Sequence, residues 1–262
     1  MNKNRCYITE ALNLAKAHKN IIMAEQEVIK HTKKIYKVWN SKDHGPWQKI
    51  KEFLIEIFII VFAITISIWF HNRSEYGHQQ AEVKEFLIGM KSDLNHDLAE
   101  MENDKHSYLA QESAFRYLTS IKMNETLNSD SLAKHYNPLF NTTALNVNNG
   151  RFEGFKSSGK IGNIENKELQ NDIMDLYQED IVSLLTSTNS YIANKKKFFD
   201  YVMQNRKRIT DSTSNIASVL AKDEAQNISI VLSHPNEVLS RYDTCIQKMK
   251  KIITEIDKEY KL

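Results

Sequence analysis

The hydrophobic pattern divides the chain into one uninterrupted apolar run and several periodic apolar stripes. The run extends from Phe53 to Phe70, and only Glu56, Thr65 and Ser67 in it are not apolar. At about 1.5 Å per residue, its eighteen residues form a helix of about 27 Å, close to the roughly 30 Å hydrocarbon core of a bilayer. The run therefore predicts a transmembrane helix.

Residues at both ends of the run support this prediction. Trp47 and Trp69 are separated by about 33 Å of helix, which is the spacing of aromatic anchors at two membrane interfaces. Gly45-Pro46 can begin the helix, since proline is tolerated in a first turn. The alternatives are a buried strand and a core helix, because Ile and Val dominate the run, but strands rarely run so long. More than fifty residues precede the run, which does not fit a cleaved signal peptide. We assign residues 46–72 to the transmembrane helix.

Three apolar stripes after the run recur at steps of three and four residues, which predicts long helices. The stripes are Val83, Leu87, Met90, Leu94 and Leu98; Leu169, Ile173, Leu176, Tyr177, Leu184, Tyr191, Phe198 and Val202; and Leu239, Tyr242, Ile246, Met249, Ile253, Ile256 and Tyr260. The last stripe is a heptad seam over three repeats. Helices with such stripes bury them against one another, so we predict an all-α fold with a bundle of long antiparallel helices.

The intervening segments carry local signals. Asn166 resembles an N-cap before an acidic first turn. Residues 122–149 are rich in Asn and Ser and predict a loop or short helices. The stretch NISIVL, residues 227–232, fits either a strand or a helical turn. The chain has only 7 Gly and 3 Pro, as expected for a mainly helical protein.

Charge predicts the orientation of the transmembrane helix. Residues 1–52 contain eleven Lys and Arg against five Asp and Glu, although the whole chain has a net charge of only +2. Because Lys and Arg are retained on the cytoplasmic side, we predict a basic, partly helical cytoplasmic tail over residues 1–45. Residues 73–262 then form an extracytoplasmic helical domain. Three interpretations of the tail stay open: it packs on a cytoplasmic partner, it lies on the surface of an anionic membrane, or it is a loosely ordered polar tail. The charge asymmetry argues against nucleic acid.

Glu56 raises a separate question, because a carboxylate inside a membrane is unfavourable. It lies about 9 Å from the middle of the run on the cytoplasmic side. One interpretation is that it reaches the headgroup region near the lysines before the run. Alternatively, Glu56, Ala63 and Ser67 share one helix face, and the small pair permits close helix approach. This face is then a candidate contact with a second copy or another membrane protein, as is the heptad seam.

Two blocks of sequence resemble an uncharacterised family of bacterial single-span envelope proteins. The family signature is E-x3-V-x2-G-I-x2-A-x3-N-N-W-N-E. The residues that match it are Glu56, Ile64, Asn72 and Glu75, with Ile60, Ala63 and Ser67 as near-equivalents, whereas His71, Arg73 and Ser74 depart from it. A second block with S-S-G, I-x-N-K-E-L and later I and Y positions is matched by Ser158, Gly159, Ile164, Asn166, Lys167, Glu168, Leu169, Ile173 and Tyr177. The resemblance implies a bacterial inner-membrane protein with a helical periplasmic part, and no known activity.

The motifs that suggest chemistry have simpler interpretations. Residues 154–160 read G-x-x-x-x-G-K, but Ile161 replaces the hydroxyl residue of a P-loop and no apolar strand precedes it. Asp93, His96, Asp97 and Glu100 share one side of a helix at ligand-like spacing, a pattern also typical of a solvated helix face. We therefore predict no catalytic residues, no metal, no cofactor and no enzymatic activity.

Three functional hypotheses remain, and the third, an enzyme, is the least favoured of them. The first is a single-pass, membrane-anchored helical protein that acts through protein–protein contacts in the cell envelope. The second is a membrane sensor or signal-relay protein whose external bundle binds a ligand. The tail has no recognisable output domain, which favours the first.

Overall fold

The structure, a computed structural model of the chain, describes residues 26, 29–34, 36–37, 45–121, 129–210 and 214–261. The chain divides into two compact units, Met1–His78 and Gln79–Leu262. Most of the predicted tail, and Cys6 with it, lies outside the described residues. In the first unit, residues 29–34 and 36–37 are helical and precede a long helix.

Eight α-helices follow one another in the described part of the chain from residue 45 onwards. They are α1 (Pro46–Ser120), α2 (Ser129–Phe140), α3 (Gly150–Ser157), α4 (Lys167–Asp175), α5 (Ile181–Asn205), α6 (Ile216–Leu220), α7 (Asp223–Leu232) and α8 (Asn236–Tyr260). A 3₁₀ turn over Lys160–Asn163 follows α3, and a π-helical turn over Leu176–Asp180 joins α4 to α5.

The described residues contain no strand, and the all-α fold class is confirmed for them. Residues 227–232 belong to α7, which decides between the two interpretations of that stretch. Asn166 caps α4, because its Oδ1 accepts a hydrogen bond of 3.1 Å from the Leu169 amide. Residues 141–149 are non-helical, as expected for part of a loop, although α2 precedes them.

The core of the second unit is organised around the part of α1 that begins at Val83. Buried positions there alternate at steps of four and three residues over five heptads, or nearly ten helical turns. They are Val83, Leu87, Met90, Leu94, Asp97, Met101, Asp104, Tyr108, Gln111, Phe115 and Leu118. This is a heptad pattern that continues well beyond the predicted stripe. Three of its positions are polar, and each of these follows the last by seven residues.

The directions of the long helices follow from their contacts. The Nζ of Lys250 in α8 lies 2.8 Å from Glu102, and Lys91 contacts Asp257. Since higher numbers in α8 meet lower numbers in α1, the two helices are antiparallel.

The rings of Tyr108 and Tyr191 are centred 5.2 Å apart, and those of Phe115 and Phe198 lie 5.1 Å apart. Here higher numbers in α1 meet higher numbers in α5, so these helices run in the same direction. This differs from the antiparallel arrangement expected of all the long helices. The physical reason is that residues 141–149 provide an extra crossing alongside α1 before α4 begins.

The heptad seam of α8 is used inside the chain. Tyr242, Ile246, Met249 and Ile256 are buried in the core, while Leu239, Ile253 and Tyr260 are partly buried against it. This seam is also a predicted contact with a partner. In the structure, α1 and the helices after Asn166 cover it.

We expect the buried seam of α1 to dominate the stability of the second unit. Leu94 is fully buried, whereas Leu109 on the same helix is 42% exposed. Leu94→Ala should lower the free energy of unfolding by about 2–5 kcal/mol, because it removes packed atoms and leaves a cavity. Leu109→Ala should cost less than about 1 kcal/mol. Chemical denaturation of the full-length protein in detergent, followed by far-UV circular dichroism, measures both. Equal losses would contradict the assignment of the seam.

Candidate membrane span

The first part of α1 exposes a continuous apolar surface. Within Lys49–Ser120, an eighteen-residue window has a mean hydropathy of 2.6 and only 6% of it is buried. The most exposed large side chains include Leu54, Phe58, Val61, Phe62, Ile68, Trp69 and Phe70, each more than half exposed. A helix at the core of a soluble protein has a similar composition but is covered by the rest of the chain. This helix is long and apolar enough to cross a membrane.

Glu56 is the buried residue of this exposed segment, with 5% of its surface accessible. Its carboxylate is covered by the helical residues that precede α1. Oε1 lies 2.6 Å from Nζ of Lys34, and Oε2 contacts Nδ1 of His31. Sequence reasoning missed these two partners, although His31 and Lys34 lie three residues apart and so share a helix face.

Ala63 and Ser67 differ from Glu56 in being exposed. The Ser67 hydroxyl donates a hydrogen bond of 2.8 Å to the Ala63 carbonyl, and Thr65 does the same to Val61. Both hydroxyls are therefore satisfied within the helix, as a polar group in an apolar solvent requires. Of the three candidate contact residues, Glu56 therefore pairs within the chain, whereas Ala63 and Ser67 are exposed.

A shallow groove lies on the opposite face of α1 from Glu56. It is lined by Trp47, Ile50, Lys51, Leu54, Ile55 and Phe58. Its volume is about 550 Å³, and its walls are almost wholly apolar. Lys51 is the charged residue of this lining. Such a surface is suited to hydrocarbon with a cation at one end.

In the second unit, the three polar positions of the α1 seam hold residues 141–149, the segment that we name the strap. Asp97 accepts a hydrogen bond of 3.1 Å from the Asn148 amide, and it also contacts the side chain of Asn148. Asp104 contacts the Thr143 hydroxyl and accepts a 2.9 Å hydrogen bond from Tyr242. Buried carboxylates are tolerated here because each is hydrogen-bonded.

The spacing of these attachments along α1 matches their spacing along the strap. Gln111 and Asp97 are fourteen residues apart on α1, which is about 21 Å of helix. Asn141 and Asn148 are seven residues apart on the strap, which is about 23 Å of extended chain. The strap therefore runs antiparallel to α1 with one attachment for each heptad. Leu145 is buried between the attachments and anchors the strap in the core.

Lys195 makes the third attachment. It is only 2% exposed, and its Nζ lies 2.5 Å from Oε1 of Gln111 and 2.9 Å from the Pro138 carbonyl, and it also contacts the Asn141 carbonyl. Burial lowers the pKa of Lys195 to about 7. Three acceptor oxygens match the three N–H bonds of an ammonium group, and two of them are carbonyls at the C-terminal end of α2.

The residues that resemble a metal site or a P-loop in the sequence form hydrogen bonds and ion pairs within the chain. Arg151 Nε donates to Asp93 at 2.9 Å, and the Asn146 amide donates to Glu100 at 2.8 Å. With Asp97 bound to Asn148, the predicted ligand-like face is occupied by the chain itself. The P-loop-like lysine, Lys160, forms a 2.8 Å ion pair with Glu82.

A separate group of carboxylates, formed by Glu168, Asp172 and Glu255, has oxygens close enough together to hold a metal ion. The ammonium of Lys251 lies 2.7 Å from Glu168, 2.7 Å from Asp172 and 3.7 Å from Glu255. A lysine cation already occupies the position that an ion would take.

No family model, curated protein or solved structure matches this chain.

The buried attachment at Asp97 should matter more than the outer one at Glu100, although both carboxylates accept a hydrogen bond from a strap amide. Asp97→Ala should lower the free energy of unfolding by about 1–3 kcal/mol, since it removes a fully buried carboxylate that accepts hydrogen bonds from the amide and the side chain of Asn148. Glu100→Ala should cost less than about 1 kcal/mol, because water can replace its carboxylate. Denaturation of the two variants in detergent tests this. A larger loss for Glu100→Ala would contradict the role of the polar seam positions.

Lys195 should make stability depend on pH. A pKa near 7 in the folded state lies below that of an unfolded lysine, near 10.4, so the unfolded state binds more protons between these values. The contribution of Lys195 to the free energy of unfolding is therefore fully present above about pH 10. It falls by up to about 1.4 kcal/mol for each pH unit as pH is lowered towards 7. Lys195→Met should remove this dependence.

The matched control is Lys196→Met, because Lys196 is exposed and pairs with Asp200. Unfolding of each variant is measured at pH 7.0 and pH 8.5. Burial raises the pKa of Cys245 to about 12, which acts with the opposite sign above about pH 9 and is common to all variants. An unchanged pH slope in Lys195→Met would show that this lysine keeps its ordinary pKa.

Proposed function

We propose that this chain is a single-pass protein of the bacterial inner membrane that acts through protein–protein contacts in the cell envelope and has no catalytic activity. Residues 46–72 cross the membrane, residues 1–45 lie in the cytoplasm, and residues 73–262 form a periplasmic helical bundle. One observation carries the proposal. The same helix, α1, exposes its large apolar side chains over residues 53–70 and buries them from Val83 onwards.

A physical argument supports this placement. Exposing apolar surface to water costs about 25 cal/mol of free energy for each Å². The exposed side chains of residues 53–70 therefore favour an apolar solvent or a partner. A continuous apolar surface around the whole helix circumference fits lipid better than a protein partner, which covers one face. The excess of positive charge before the run supports a cytoplasmic N-terminus. The family resemblance supports the bacterial inner membrane.

The contact with a partner is assigned to the face of Glu56, Ala63 and Ser67. Its exposed residues, Ala63 and Ser67, permit close approach of another transmembrane helix, which is either a second copy or a different membrane protein.

Membrane placement is tested by fractionation and protease access. In cells with an opened outer envelope, we expect the full-length protein to resist alkaline extraction from the inner membrane, and a C-terminal tag to be cleaved by added protease. A protected C-terminal tag would place residues 73–262 in the cytoplasm. Release by alkali would remove the transmembrane assignment altogether.

The contact face is tested by crosslinking in native membranes. Ala63→Leu combined with Ser67→Leu should reduce the yield of crosslinked species at least several-fold, because larger side chains prevent close helix approach. The control is Val61→Leu with Thr65→Leu, an equally spaced pair on the opposite face that also carries a hydroxyl bonded to the preceding turn. An equal yield from both double variants would remove this face as the contact.

A further inference from the structure

We infer that the helical residues 29–34 and 36–37 are an anchor for anionic phospholipid on the cytoplasmic surface of the membrane, held there by Glu56. This inference rests on the membrane placement proposed above and adds a function for the tail. The partner is defined by its chemistry, as a phosphate-bearing headgroup of net negative charge in a lipid bilayer.

The position of Glu56 sets the depth of the anchor. Glu56 lies about 9 Å from the middle of the apolar run, whereas the hydrocarbon half-thickness is about 15 Å. Its carboxylate is therefore below the headgroups. His31 and Lys34 both reach this carboxylate, so their helix lies against the membrane surface and their side chains extend towards the hydrocarbon boundary.

One remaining face of the anchor suits an interface. Lys30, Lys33 and Lys37 are exposed and follow one another at steps of three and four residues, so they form one basic sector beside the sector that faces Glu56. Ile29, 54% exposed, and Tyr36, 73% exposed, lie on the side of this helix that is turned away from Glu56. The lysine sector is the part of the helix that is suited to anionic headgroups.

Among the described residues, the ion pairs of Glu56 are with His31 and Lys34, not with Lys33 and Lys37. The carboxylate takes two partners, His31 and Lys34, on its own side of the helix. Lys33 and Lys37 lie on the adjacent sector, where phosphate groups of the headgroup layer provide the complementary charge. Lys49 and Lys51, at the start of α1, add positive charge in the same unit.

The test uses the full-length protein reconstituted in phosphatidylcholine vesicles containing a trace of spin-labelled phosphatidylglycerol or spin-labelled phosphatidylcholine. The immobilised fraction of each label gives the relative association of the two lipids with the protein. The variant is Lys33→Gln with Lys37→Gln. Its control, Lys196→Gln with Lys197→Gln, removes the same charge from exposed positions of α5.

We expect the wild type and the control to associate with phosphatidylglycerol more strongly than with phosphatidylcholine. In the Lys33→Gln and Lys37→Gln variant, the preference for phosphatidylglycerol should fall by up to about fivefold for each lysine replaced. Glu56→Gln should also weaken it, although it removes a negative charge, because the anchor is then no longer held at the surface. Raising the salt concentration should reduce the wild-type preference.

Three results would overturn the inference in separate ways. Equal association of both lipids with an inserted wild-type protein, or equal losses in the test and control variants, would remove the lipid anchor and leave the membrane placement intact. An unchanged or stronger preference in Glu56→Gln would remove the positioning role of Glu56. A protein that alkali extracts from the vesicles would overturn the membrane placement and the anchor together.

Discussion

The structure of the second unit depends on one requirement, that polar groups buried in the seam of α1 find hydrogen-bond partners. Asp97, Asp104 and Gln111 occupy the same heptad position in three successive repeats, where an apolar residue is the ordinary choice. Their partners come from the strap, directly or through Lys195. An extended segment without a helix or sheet of its own thereby gains a fixed place and register. Its crossing in turn allows α1 and α5 to run in the same direction.

The same helix meets a different requirement before His78. Over residues 53–70 the side chains are apolar on every face, and polar groups are satisfied locally, by the preceding turn for Thr65 and Ser67 and by His31 and Lys34 for Glu56. Such local satisfaction is what an apolar solvent demands of a single helix. After Val83 the apolar residues narrow to a seam, and the polar ones become useful for attaching other segments. Along α1, an apolar surface exposed on every face thus gives way to a narrow buried seam.

Periodicity in the sequence predicts the helices well, because the long stripes beginning at Val83, Leu169 and Leu239 each arise from one buried face. The N-cap at Asn166 is predictable for the same local reason. Contacts between distant parts of the chain cannot be predicted in this way. No periodicity in α5 indicates that Lys195 contacts Gln111, and no periodicity in the tail indicates that His31 contacts Glu56. The seven-residue spacing of Asp97, Asp104 and Gln111 is visible in the sequence. Its meaning requires the position of the strap. The π-helical turn at Leu176–Asp180 also escapes prediction, because its stripe passes through without a break in composition.

The central claim is that α1 changes its surroundings from lipid to protein along its length. It is tested most directly by placing single cysteines at each position from residue 45 to residue 95 in a cysteine-free background, and measuring their reaction with a membrane-impermeant thiol reagent in native membranes. The account predicts uniform protection over residues 53–70 irrespective of helix face. It predicts protection alternating at steps of three and four residues from Val83 onwards. Alternating protection within residues 53–70, or reaction throughout that run, would show that one face is covered by protein or that the run lies in water, and would contradict the account.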